Sequence, residues 1–150
     1  ALRDARTLLA QAAEGQWSLL DYLPAIEAEI DCFRGEHARA LAGADQAIAR
    51  AQAVGGFFAE AIAWRAKAVA AVRSGAAPDA AQAIFDRALR LHEQGGARAE
   101  QAYSTLTWAH ALDQAGHAER ARLAARAARD LARAHGFALS RCEYGAWAML

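Results

Sequence analysis

Glycine returns along this chain at a fixed interval. Gly15, Gly55, Gly95 and Gly136 form one series, and Gly35, Gly75 and Gly116 fall midway between its members. A period of about 40 residues, punctuated twice, is the mark of a helical hairpin repeated and stacked into a solenoid. In such an array each hairpin buries its apolar face only against its neighbours. The expectation is an all-α fold, a right-handed α-α superhelix of antiparallel hairpins, with 1–150 forming a single repeat domain.

The residues between the glycines agree with helix and argue against sheet. Forty-five of the 150 residues are Ala, the strongest helix former, and Pro occurs only at Pro24 and Pro78. Because Ala contributes so much of the apolar content, helices must approach closely along small-residue seams. The glycines divide the chain into eight helical segments, at about 1–14, 18–34, 36–54, 58–74, 78–94, 98–115, 117–135 and 138–150. These give three central hairpins with half-hairpins at both ends. Gly15, the pairs Gly55-Gly56 and Gly95-Gly96, and Gly136 are expected to hold the left-handed cap that ends a helix, with the choice within each pair left open. Pro78 suits a first helical turn. Pro24 places the start of its helix near Asp21, with 17–20 as an irregular entry. The spacing of Phe58, Ile62, Val69 and Val72, and of Ile84, Phe85, Leu89 and Leu91, predicts two amphipathic helices. In 117–135 the only large apolar residues are Leu123 and Leu131, so that helix rests on Ala and Arg propensity.

Formal charge sums to zero, with 17 basic and 17 acidic residues, and neither half of the chain departs far from balance. No global field draws the molecule to nucleic acid or to a membrane. No apolar run approaches the ~20 residues needed to cross a bilayer, and no signal peptide is evident, so the expected location is cytoplasmic. Lys67 is the only lysine, and the Arg and Ala bias points to a GC-rich bacterial genome. The chain starts and stops inside predicted helical elements, which reads as a piece of a larger protein. Cys32 and Cys142 fall about three hairpins apart, beyond disulfide reach, and are expected to be reduced.

Small residues flank the mid-hairpin glycines in a recurring pattern: Ala28, Gly35, Ala40 and Ala47; Ala68, Gly75, Ala81 and Ala88; Ala109, Gly116, Ala121 and Ala128. With Trp64 at an aromatic position, this pattern resembles the tetratricopeptide-like superfamily. Pro24 and Thr105 depart from it, and the period is about 40 residues where that family's usual repeat is about 34. The longer period and double-glycine ends look more like the repeat arms of large bacterial signalling proteins, such as the maltose-regulator type of transcription activator. The resemblance implies that the first helix of each hairpin lines a concave groove. Its residues here would be Tyr22, Glu29, Arg65, Val69, Arg73, Tyr103, Leu106, His110 and Asp113, with the tyrosines as anchors and Arg65 or Arg73 pairing an acidic group of a protein or peptide partner.

Nothing in the sequence specifies a reaction. His110, Asp113 and His117 do not make a metal set, because Gly116 breaks the helix between them and no HExxH or paired CxxC pattern occurs. Cys32 has no basic neighbour in sequence to activate it. Neither phosphate-binding glycine motif is present, and no cofactor is expected. Arg122, Arg126, Arg129 and Arg133 share one helix face without interleaved aromatics, which reads as a solvated outer surface with no direct nucleic-acid contact. The expected function is therefore a non-enzymatic protein-interaction or regulatory sensor module of a signalling or transcription-regulatory protein. The alternatives are self-association or a structural spacer, and a small-molecule-sensing arm.

Overall fold

The structure is a computed structural model, and it describes residues 19–136 together with Leu139. Six helices follow one another: α1 (Leu19–Phe33), α2 (His37–Val54), α3 (Phe57–Arg73), α4 (Pro78–Gln94), α5 (Arg98–Gln114) and α6 (Ala118–Ala134). No strand occurs among the described residues. The connections are short, which turns each helix back along its predecessor. The expected segments 1–14 and 138–150, with Gly15 and Cys142, lie outside the described residues except for Leu139.

Every described turn contains a glycine with positive φ, and Gly35, Gly55, Gly75, Gly96, Gly116 and Gly136 follow one another at nearly even spacing. The turns also share a hydrogen-bond pattern. Gly35 N donates to Cys32 O and Glu36 N to Asp31 O; Gly75 N donates to Val72 O and Ala76 N to Ala71 O; Gly116 N donates to Asp113 O and His117 N to Leu112 O. This is the Schellman closure, in which a left-handed residue lets the chain reach back to the last free carbonyls. No helix from α2 to α6 has a side-chain hydrogen bond at its N-cap, so the punctuation lies at the C-terminal ends.

The structure makes the choice within each glycine pair, and Gly55 takes the cap in the first. Gly95 has φ of −80° and Gly96 takes the left-handed cap. Gly95 makes room for a neighbour: a Cβ there would stand 2.1 Å from Cε2 of Phe57, so a side chain at 95 would have to displace the half-exposed ring at the start of α3. A correction concerns Pro24, which lies inside α1, since the helix already runs from Leu19.

The odd-numbered helices form an inner row, with α1 packed on α3 and α3 on α5, while each even-numbered helix packs on the inner helices beside it. Helices α2 and α6 dock by alanine alone or nearly so: Ala40, Ala44, Ala47, Ile48 and Ala51 in one, Ala121, Ala125, Ala128 and Ala132 in the other. Leu123, one of the two large apolar residues of α6, is 56% exposed. Helix α3 is buried on most of its circumference, from Ala59 through Val72, and is not the one-sided amphipathic helix that its spacing predicts. A helix flanked by neighbours on both sides has no solvent face to leave polar. Between hairpins, Phe85 of α4 stacks on Trp108 of α5 with centroids 5.0 Å apart, and the indole N–H donates to Gln82 Oε1 at 2.8 Å.

Candidate binding cleft

The three inner helices meet around a cleft lined by Glu29, Cys32 and Phe33 from α1, Ala66, Val69 and Arg73 from α3, and Thr107, His110, Ala111 and Gln114 from α5. The repeat places these side chains together because each inner helix presents its C-terminal half to the same side. Alanine and valine make the floor, and the charged and amide groups stand around it. Of the residues expected in a groove, four line this cleft: Glu29, Val69, Arg73 and His110.

Arg73 sits in the last turn of α3, half-buried, and its Nη1 donates to Cys32 O at 3.0 Å. That bond covers a terminal carbonyl of α1 and uses one of five guanidinium donors. No carboxylate pairs with Arg73 among the described residues. Its charge acts on the histidines nearby: burial and then Arg73 hold His37 and His110 below the ordinary imidazole value, with Asp113 partly opposing the shift at His110. Cys32 is buried, donates to Ala66 O at 3.3 Å, and has its thiol pushed up to about 12 by burial and then by Glu29. A thiol in that state is a small apolar wall of the cleft and no nucleophile at neutral pH.

The remaining expected residues fall elsewhere. Arg65 was expected to offer its charge to a partner, and the structure corrects this. It is 2% exposed and already satisfied: Nε donates to Glu29 Oε1 at 2.6 Å, Nη1 donates to Ser104 Oγ at 2.8 Å, Glu100 approaches to 3.5 Å, and the guanidinium lies 4.9 Å from the ring centroid of Tyr103. Tyr103 is thus engaged by Arg65. Tyr22 packs against Phe58 with centroids 5.9 Å apart, and its hydroxyl is held above the ordinary phenol value by burial and then by Glu100. Leu106 is buried with Ala128, against which Tyr103 and Leu139 pack, so it contributes to the core and not to an accessible groove. Asp113 is exposed at the end of α5 and does not line the cleft.

Sequence reasoning missed the polar cluster behind the cleft. Ser104 Oγ also lies 3.1 Å from His92 Nε2, so α1, α3, α5 and α4 are joined by the chain Glu29, Arg65, Ser104 and His92. His92 is fully buried, meets Phe58 edge-on at 5.6 Å, and is held down to about 4 by burial and the nearby Arg65. The available signal was positional: His92 stands where the equivalent outer helices have Ala51 and Ala132, both buried.

Among the described residues no three His, Cys, Asp or Glu side chains come together as a metal set, and no helix is long and apolar enough to cross a membrane. Comparison with protein-family models, with curated proteins and with solved structures returns no match.

Proposed function

We propose that this chain is a non-enzymatic interaction module of tetratricopeptide-like type, in which the cleft between α1, α3 and α5 receives a short segment of a partner polypeptide. The observation that carries this reading is the composition of the cleft: an apolar floor of Cys32, Ala66, Val69 and Ala111 with Glu29, Arg73, His110 and Gln114 around it. The floor offers apolar contact to a small side chain laid over it, and the unused Arg73 donors suit an acceptor on the incoming chain. The polar cluster centred on Arg65 stiffens the wall behind, which lowers the ordering cost of binding. The Arg and Ala bias favours a bacterial source, and the likeness of the 40-residue period to the repeat arms of bacterial signalling proteins favours a signalling or transcription-regulatory setting.

The experiment is titration of the partner captured from the native host against Arg73→Gln and His110→Ala, with helix content followed by circular dichroism. Both variants are expected to weaken binding at least fivefold while remaining folded. Undiminished affinity in both removes the cleft from the function.

A further inference from the structure

The cleft between α1, α3 and α5 is small, and two basic side chains reach it. The space inside it is about 20 Å³, which is room for a single water-sized group. Arg73 from α3 and His110 from α5 both line that space. One polar group seated there therefore meets both side chains, and the rest of a bound segment lies across the mouth.

Such a group must be recognised by side chains. The backbone amides at this end of the hairpins are spent, since Gly35 N, Glu36 N, Gly75 N, Ala76 N, Gly116 N and His117 N all close their own turns. That removes the row of free N–H groups that holds a phosphate or a chain-terminal carboxylate. It leaves the guanidinium of Arg73, whose hydrogen bond among the described residues goes to a neutral carbonyl, Cys32 O. The carboxylates nearby are already matched or stand apart. Glu29 accepts from Arg65 at 2.6 Å, Asp31 accepts from Nε and Nη2 of Arg39, and Asp113 lies at the exposed end of α5, outside the cleft. An acidic side chain is thus the complement that Arg73 lacks.

The charge of Arg73 also acts on His110. Burial and then Arg73 hold that imidazole below its ordinary 6.5, and Asp113 opposes them. His37, at the start of α2, is subject to the same two effects, while Glu29 and the un-ionised Cys32 thiol complete the titratable groups around the cleft. An incoming carboxylate offsets the guanidinium charge and adds an attraction of its own, so the imidazolium becomes easier to form.

We propose that the cleft takes an acidic side chain of the partner segment together with a proton, which His110 binds as the carboxylate arrives. The inference rests on the reading of the cleft as the binding site. Coupling between two ligands is reciprocal, so protons favour the bound carboxylate by the same factor as the carboxylate favours the proton. Affinity therefore rises as pH falls from 7.5 towards the range in which the free His110 itself protonates, and levels off there. A loss of fold in acid would weaken binding, so it cannot imitate this effect.

The test is titration of the full chain with the capped peptide Ac-Ala-Glu-Ala-NH2 and with its Gln counterpart, at pH 7.5 and at pH 5.5, where glutamate remains ionised. The Glu peptide should bind at least threefold more tightly at pH 5.5 than at pH 7.5, and the Gln peptide equally at both. His110→Gln keeps a hydrogen-bonding side chain but cannot take the proton, and it should bring the ratio for the Glu peptide close to one. An affinity for the Glu peptide that is the same at both pH values overturns the proton coupling and leaves the cleft in place; the cleft itself is decided separately, by Arg73→Gln at pH 7.5. Equal binding of the two peptides, no binding of the Glu peptide at either pH, or a pH effect that survives His110→Gln also overturns the proposal.

Discussion

Arg65 and Glu29 meet at 2.6 Å across the packing of α3 on α1, with only 3% and 15% of their side chains exposed. The same guanidinium reaches Ser104 on α5, so a single charged side chain ties all three inner helices together. Breaking a buried pair leaves the remaining charge without water or partner. Arg65→Ala is therefore expected to destabilise by about 3 to 5 kcal/mol, measured by urea denaturation, because it leaves Glu29 buried and unpaired. A loss below about 1 kcal/mol would show that the cluster is solvated or dispensable. This makes Arg65→Ala a stability variant and unsuitable as a probe of binding.

The buried histidine sets an acid limit. His92 in the folded chain is held down to about 4, against an ordinary value of 6.5. Its contribution is complete above pH 6.5, where both folded and unfolded forms are neutral, and is lost as pH falls from 6.5 through about 4, where only the unfolded form readily takes the proton. The loss amounts to roughly 3 kcal/mol. Shifts at His37 and His110 act in the same direction. Thermal melts between pH 7 and pH 4 should show a falling Tm, with a shallower slope in His92→Gln. An identical slope in that variant would remove His92 from the effect.

The paired glycines should fail for different reasons. Gly96→Ala forces a side chain into the left-handed region, at a cost of about 1 to 2 kcal/mol. Gly95→Ala drives a Cβ into Phe57 and leaves the backbone angle allowed. In a Phe57→Ala background the cost of Gly95→Ala should shrink markedly while that of Gly96→Ala stays the same, as chemical denaturation of the four combinations would show. Equal costs in both backgrounds would contradict the steric assignment.

The solenoid was legible because its punctuation is local. A left-handed turn needs glycine, and glycine recurring at every half-period marks the helix ends directly. The choice between Gly95 and Gly96 was not legible, since it depends on the ring of Phe57, which belongs to a different turn of the repeat. Arg65 was misplaced for a related reason. Helical spacing puts it on the inner stripe, but spacing does not reveal that neighbours on both sides bring Glu29 and Ser104 over it. Part of the cleft could be read in Glu29, Val69, Arg73 and His110. Phe33, Thr107, Ala111 and Gln114 join only when the three helices are set side by side.

The central claim is that a partner segment is received by the inner-face cleft. Its most direct test is an NMR titration of the host-captured partner into protein with labelled Val and Ala methyls, repeated on Arg73→Gln. The account predicts shifts at Val69, Ala66 and Ala111 that saturate with binding, and a weaker titration in the Arg73 variant. Saturating binding that leaves those three methyls unmoved and is indifferent to Arg73 would contradict it.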